Sequence, residues 1–216
     1  IGKEEALYKQ LDIYEILVNL YPKKMYFIQL GGIYGQLDRE LDYMITLNAA
    51  YQKDLLDKES EYLALTQLLL LNNNPYWAAK VLEAGRIKKV PVIDEKTKEE
   101  KILPVVKDNE KNLKLLADAW RMAQEIELAI PIMEKAARLA KDGQTFIILG
   151  SLYLSEDKLE EAVDAIEQGL KKGPVKNPSQ ARLTLGQAHF ELQNFEQAKK
   201  EFRIAARDDD KKIKKT

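Results

Sequence analysis

The sequence predicts an all-α fold in which copies of one helical hairpin stack side by side as an α-solenoid, interrupted by a short β-hairpin. Three observations predict it. A Leu-Gly pair followed three residues later by Tyr occurs at Leu30-Gly31 and Leu149-Gly150, and Leu185-Gly186 marks a further copy. Positions suited to a second, packed helix follow each glycine after 12, 16 and 19 residues. The copies recur at about 34 residues, an interval typical of helical repeats.

Five register positions define the repeats, with the glycine slot relaxed to Thr or Ala in two copies. They lie 35, 51, 33 and 36 residues apart, at Gly31, Thr66, Ala117, Gly150 and Gly186. Small residues here allow two helix backbones to approach closely, and large side chains nearby fill the space between copies. A single hairpin cannot bury its apolar face, so neighbours must stack. The predicted repeats are 24–57, 59–87, 110–141, 143–174 and 179–210.

The first 22 residues are predicted as the second helix of a truncated repeat, within a single array that covers 1–216. Ala6–Leu20 is amphipathic and ends before Pro22. Ile1 stands where an initiator Met would be, so we expect the chain to be a cut or processed product that begins in mid-array. The exposed apolar face of this helix predicts a homodimer through terminal helices.

The longest interval between repeats holds a segment of strand-forming character, residues 88–106. Val90–Ile93 and Ile102–Val106 are rich in β-branched residues and flank a wholly polar run. This pattern predicts a β-hairpin or an extended flap. Both runs contain proline, so we expect edge-like strands. Two interpretations stay open: a tolerated surface loop, and a contact arm for a partner.

Composition excludes several classes of function. The chain has 34 Lys and Arg against 35 Asp and Glu, a formal net charge of −1, whereas nucleic-acid binders normally carry a basic excess. No apolar run approaches the ~18 residues that suggest a bilayer span, so no direct membrane insertion is expected. Cysteine is absent and His189 is the only histidine, which excludes disulfides, cysteine zinc sites and a cysteine nucleophile. We therefore predict no catalytic residue, no metal and no cofactor, and the chain is not expected to be an enzyme.

The repeats resemble the tetratricopeptide repeat (TPR) family over most of the chain. The copy that follows the family pattern most fully has, in order, Phe146, Leu149-Gly150, Tyr153, Ala162, Ile166, Gly169 and Pro174. Departures occur at Tyr43 in the first copy and at Arg182 and His189 in the last. The resemblance implies a right-handed α-solenoid whose first helices line a concave groove for a protein or peptide partner.

The resemblance also implies which side chains face that groove, on the first helix of each repeat. They are Ile28, Leu63, Gln67, Leu70, Lys114, Asp118, Arg121, Ile147, Ser151, Leu154, Leu183, Gln187 and Phe190. The ends of this predicted wall are apolar or amide-bearing, which suits an extended peptide or an amphipathic helix. Lys114 and Arg121 belong to one repeat, so a clamp for a terminal carboxylate built from consecutive repeats is not supported. Surface variation and packing of the array are the alternative explanation for these residues.

Three segments resemble more narrowly the TPR proteins encoded beside the TonB, ExbB and ExbD energy-transduction genes of Gram-negative bacteria. The segments are 58–62, 74–83 and 109–116. The resemblance implies an exported, periplasmic accessory of TonB-dependent transport that contacts the energising complex; the cytoplasm is the alternative location. The predicted function is a non-enzymatic, protein- or peptide-binding TPR scaffold. Its alternative is a structural or oligomerising repeat module of a larger envelope or cytoplasmic assembly.

Overall fold

The computed structural model describes residues 2–93 and 96–213. These residues form eleven helices and one two-stranded sheet, which confirms the predicted all-α fold with a β-hairpin insertion. Asp94 and Glu95, in the polar run of that insertion, lie outside the described residues. The chain divides into two compact units, Ile1–Asp108 and Asn109–Thr216.

The first unit contains a leading helix, two helical hairpins and the β-hairpin. Its elements are α1 (Lys3–Leu20), α2 (Lys24–Gln36), α3 (Glu40–Gln52), α4 (Glu59–Leu71), α5 (Pro75–Ile87), β1 (Lys89–Ile93) and β2 (Glu100–Pro104). From α1 to α5, each helix packs on the next helix of this unit. Apolar side chains at the helix crossings are buried, among them Leu47, Leu65 and Leu82.

The second unit consists of three helical hairpins. Its elements are α6 (Glu110–Met122), α7 (Ile126–Leu139), α8 (Gln144–Ser155), α9 (Leu159–Lys172), α10 (Pro178–Glu191) and α11 (Phe195–Ile213). Here too each helix packs on its successor. Trp120, Met133 and Ile166 are fully buried between the helices.

The turn inside each of the five hairpins has the same backbone geometry. Seven residues after every register position lies a residue with φ between 54° and 64°: Asp38, Asn73, Gln124, Asp157 and Gln193. The amide after it bonds back to the carbonyl five residues earlier, as in Lys158 N to Tyr153 O at 3.0 Å. This closure is the Schellman motif, which satisfies carbonyls at the end of a helix. The repeat register inferred from small residues therefore coincides with a recurring turn.

Close contacts between α8 and α9 explain why glycine stands at the register position Gly150 and at Gly143, the residue before α8. A Cβ added to Gly150 would lie 2.4 Å from Cγ1 of Ile166, and one added to Gly143 would lie 1.8 Å from the carbonyl oxygen of Gly169. A Cβ on Gly32, in contrast, would meet nothing within 4 Å. Packing, rather than backbone conformation, requires glycine at Gly143 and Gly150.

An equivalent Tyr–Glu hydrogen bond occurs in both units. It shows that α1 occupies, within the first unit, the position that α7 occupies within the second. Tyr34 Oη donates to Glu15 Oε1 at 2.5 Å, and Tyr153 Oη donates to Glu134 Oε1 at 2.5 Å. Burial, reinforced by the Glu15 bond, raises the pKa of Tyr34 to about 12. The pKa of Tyr153 is raised for the same reasons. Since α7 is the second helix of its hairpin, α1 packs on α2 as a second helix does.

Candidate peptide-binding surface

The predicted groove residues all lie on the first helices of the hairpins, α2, α4, α6, α8 and α10. Several of these helices are poor in charge: α8 has no charged residue and α2 has only Lys24. Charge does not separate the first helices from the second throughout, because α6 carries five charged residues and α3 only two. Among the first helices, α2 and α8 therefore offer weakly charged surface to a partner, whereas α6 offers charged groups.

In the first unit the predicted residues form short apolar strips. Ile28, Leu63 and Leu70 are half-buried, and Gln67 is exposed. Leu71 extends the strip of α4 with a side chain that is 68% exposed. The side-chain amide of Gln67 is the polar group of this surface, and the apolar side chains around it can pack on a partner.

In the second unit α6 and α8 enclose a crevice of about 540 Å³. It brings together three predicted residues, Asp118, Arg121 and Ser151. Five further residues line it: Gln124, Ile126, Ile148, Leu152 and Ser155. Leu152 is buried, and both isoleucines are half-buried, so the crevice has an apolar floor.

The two charged groups of this crevice, Arg121 and Asp118, form only a weak ion pair with each other. Arg121 Nε lies 3.4 Å from Asp118 Oδ1 in an ion pair between adjacent turns of α6. Such solvent-accessible pairs are worth less than about 1 kcal/mol. Arg121 can therefore exchange its partner for a ligand carboxylate, which a guanidinium binds with two parallel hydrogen bonds. The hydroxyl of Ser151 is used within α8, donating to Ile147 O at 3.1 Å.

A second cavity, of about 310 Å³, lies on the last hairpin of this unit. Leu183, Gln187 and Phe190, all predicted, line it together with Phe202. Phe190 is 57% exposed, and its ring lies 5.5 Å from that of Phe195 in an edge-to-face arrangement. Exposed aromatic rings of this kind are common anchors at protein interfaces.

The remaining predicted residues of the second unit have other surroundings. Ile147 and Leu154 are partly buried and pack against the buried cluster of Ile166, Ala181 and Leu185. They contribute to packing between hairpins, and their contact with a ligand stays a prediction. Lys114 is half-buried on α6, one turn before Asp118.

The crevice also contains residues that the sequence pattern missed. The pattern used three positions on each first helix, whereas the cavity is wider. Ile148 and Ser155 each stand one residue beyond a predicted position, and Gln124 is the left-handed residue of the α6–α7 turn. A pattern that covered a wider face of each first helix, and that included the recurring turn position, would have predicted these three residues.

Nothing in the described part of the chain suggests a metal-dependent active site. Across residues 2–93 and 96–213, no three His, Cys, Asp or Glu side chains are placed to hold a metal ion. His189 is buried, with Nε2 4.0 Å from Glu167 Oε1. Among the described helices, none combines the length and the apolar character that crossing a membrane requires.

Comparison with known proteins supports the repeat fold. No family model matches the chain. The CTR9 homolog of Arabidopsis thaliana is 35% identical over 113 residues, which is 50% of this chain and 10% of that protein. The chain thus matches about a tenth of the length of this curated relative.

Solved structures match most of the chain. A crystal structure of MamA has a TM-score of 0.65 and 18% identity, covering 86% of this chain and 97% of that one. YrrB, described as a TPR protein with an unusual peptide-binding site, has a TM-score of 0.62 and 14% identity, covering 88% of this chain and 89% of that one. At these identities the likeness concerns the fold alone. The chain has a TPR-like fold of stacked helical hairpins.

Proposed function

We propose that this protein is a non-enzymatic scaffold that binds an extended segment of a partner protein on the first-helix face of its second unit. The observation that carries the proposal is the crevice between α6 and α8, where a weakly paired Arg121 lies beside an apolar floor. The fold it shares with YrrB, a TPR protein with a peptide-binding site, supports the same conclusion.

The crevice suits a segment in which an acidic residue stands next to an apolar one. Burying one large aliphatic side chain on Ile126, Ile148 and Leu152 is worth about 1.5–3 kcal/mol. A carboxylate on Arg121 adds a charge-assisted hydrogen bond. Lys114, two turns earlier on α6, adds a positive charge to the same helix without lining the crevice.

Reversing both positive charges is expected to weaken this binding at least tenfold without unfolding the protein. Lys114→Glu with Arg121→Glu removes the groups that attract the acidic residue, and a hydrogen bond to a charged group contributes about 1.5–3 kcal/mol. Both side chains reach solvent, so the melting temperature should stay nearly unchanged. The measurement is the fluorescence anisotropy of a labelled peptide selected from a random library on the intact chain.

The matched control reverses two charges on the second helix of the same hairpin. Lys135→Glu with Arg138→Glu makes the same charge change at exposed positions of α7. We expect the peptide to bind this variant as tightly as it binds the wild type. Equal loss in both variants would mean that general electrostatic attraction, rather than the crevice, determines binding.

The narrower form of the proposal is an accessory role in TonB-dependent transport, in the periplasm. It is supported by the sequence resemblance of segments 58–62, 74–83 and 109–116. The test is direct titration of the purified chain with the purified periplasmic domains of TonB and ExbD, each followed by calorimetry. Saturable binding that Lys114→Glu with Arg121→Glu weakens would support this form, and no binding to either domain would exclude it.

The apolar face of α1 favours a second candidate, an oligomerising module. Ile13, Ile16 and Leu20 are 57%, 58% and 65% exposed, which agrees with the predicted apolar surface of this helix. If two copies pair through it, the chain should sediment as a dimer and Ile16→Glu should return it to a monomer. A wild-type monomer at high concentration would contradict this candidate.

A further inference from the structure

The β-hairpin is fixed to the helices at its base. Val106, two residues after the end of β2, is fully buried, and a Cβ added to Gly85 would lie 2.6 Å from Cγ2 of Val106. The amide of Val106 donates to Gly85 O at 2.9 Å. Arg86 holds Asp108 through two hydrogen bonds, of 2.6 and 2.8 Å. The two ends of the insertion are thus anchored, and β1 and β2 project from a defined base.

The register of the hairpin shows which backbone amides bond to the opposite strand and which point outward. Val105 N donates to Lys88 O at 2.9 Å, so these two residues form a hydrogen-bonded pair. In an antiparallel ladder such pairs alternate with non-bonded pairs. The next pair along the hairpin is Lys89 with Pro104, and the register continues to Ile93 with Glu100. The amides that point away from the hairpin therefore belong to Lys89 and Ile93 on β1, and to Glu100 and Ile102 on β2.

Both prolines of the hairpin occupy outward-pointing positions. Neither costs the hairpin a ladder bond, because proline lacks only the outward donor there. Pro91 lies in the middle of the β1 edge and interrupts it, which is one way proteins block an open edge. Pro104 lies at the base end of β2 and leaves the Glu100–Ile102 stretch intact. One edge of the hairpin is blocked, and the other retains consecutive outward donors and acceptors.

One face of the hairpin carries exposed apolar side chains, and one of them, Ile102, belongs to the strand with the open edge. Ile102 is 70% exposed and Ile93 is 67% exposed, and the register places both on the same face of the hairpin. A two-stranded hairpin is marginally stable alone in water, so a third strand would stabilise it. The combination of main-chain groups and an apolar face is the chemistry that recognises an extended chain.

We propose that the outer edge of β2 pairs with an extended strand of a partner protein, which becomes the third strand of this sheet. The partner segment would form main-chain hydrogen bonds with Glu100 and Ile102. On the face that carries Ile102, its alternate side chains would lie beside Ile102 and Glu100, so we expect an apolar residue next to Ile102. This arm belongs to the first unit and the α6–α8 crevice to the second, so each is tested with its own variants.

A second copy of this chain fits the edge less well than a different protein does. Antiparallel self-pairing centred on Lys101 places two Lys101 side chains directly opposite each other, and like charges in that arrangement are destabilising. Self-pairing centred on Ile102 places Glu100 opposite Pro104, which has no donor. A partner strand carries neither penalty.

The test uses Ile102→Pro, which removes one outward donor and keeps every ladder bond of the hairpin. Ile102→Thr is the matched control, because it also removes the large apolar side chain but keeps the amide. Peptides would be selected from a random phage library on the intact chain and titrated against each variant. We expect a class of alternating apolar peptides that bind Ile102→Pro at least tenfold more weakly than Ile102→Thr, and that bind Lys114→Glu with Arg121→Glu as the wild type.

Hydrogen exchange of the wild-type chain gives a second measurement that needs no variant. On addition of such a peptide, the amides of Glu100 and Ile102 should become protected, and those of Lys89 and Ile93 should not. The proposal is overturned if every selected peptide binds Ile102→Pro as tightly as Ile102→Thr, or if the protection appears elsewhere. A wild-type dimer abolished by Ile102→Pro would equally overturn it, in favour of self-pairing.

Discussion

Gly143→Ala is expected to destabilise the second unit by about 3 kcal/mol, at the upper end of the usual cost of overpacking. The added methyl would lie 1.8 Å from the carbonyl oxygen of Gly169, a backbone atom that cannot rotate away as a side chain does. Gly143 has φ −84° and ψ −10°, which alanine adopts freely, so the whole cost is steric. A fall of roughly 10 °C or more in the melting temperature of this unit should result.

Gly32→Ala is the matched control for this prediction. Gly32 lies in the interior of α2, and a Cβ there would meet nothing within 4 Å. Alanine should therefore stabilise the helix by about 0.5–1 kcal/mol through its lower conformational entropy in the unfolded chain. If both variants melt like the wild type, the contact between Gly143 and Gly169 is not as close as described.

Trp120→Ala is expected to cost about 4 kcal/mol, because truncating a buried aromatic ring removes its burial and leaves a cavity. Trp120 is 0% exposed, on the last turns of α6. Chemical denaturation followed by circular dichroism measures the loss. The transition assigned to the second unit should shift to lower denaturant concentration with little change in its slope.

The only other tryptophan, Trp77, provides the control. It is 60% exposed on α5, so Trp77→Ala should change the free energy of unfolding by about 0.5 kcal/mol or less. Each variant also leaves a single tryptophan, Trp77 in the first unit or Trp120 in the second. Emission from Trp120 should shift strongly to the red on unfolding, and emission from Trp77 should shift little. Similar destabilisation by both substitutions would contradict the assigned burial.

The repeat register could be predicted from the sequence because packing imposes it. Gly150 and Gly186 must be small where Ile166 and Phe202 cross them, so the spacing between such pairs carries structural information. The contact between Gly143 and Gly169 could not be predicted. Neither glycine differs, as a residue type, from Gly32, and only the crossing of α8 and α9 distinguishes them.

The candidate site was predictable in part. A helical face predicts which residues point away from the partner helix, and three residues predicted in this way, Asp118, Arg121 and Ser151, line one crevice. Their contact with a partner stays a prediction. The same rule cannot tell whether the adjacent hairpin covers a residue, and Ile147 and Leu154 are covered. The β-branched runs predicted the strands of the insertion. The sequence could not predict which amides of these strands point outward, because that depends on the bond between Val105 and Lys88. The same bond decides that Pro91 interrupts the outer edge of β1.

The recurring left-handed turn fixes the length of the connection inside each hairpin. We therefore expect this chain to tolerate inserted sequence in the connections between hairpins. Inside a hairpin, the residue with positive φ always stands seven positions after the register residue, so an inserted residue would separate the two helices. Between hairpins the connections differ in length, and one of them holds the whole β-hairpin. The connection between α9 and α10, at residues 173–177, is therefore a natural site for grafting an affinity tag or a foreign recognition loop.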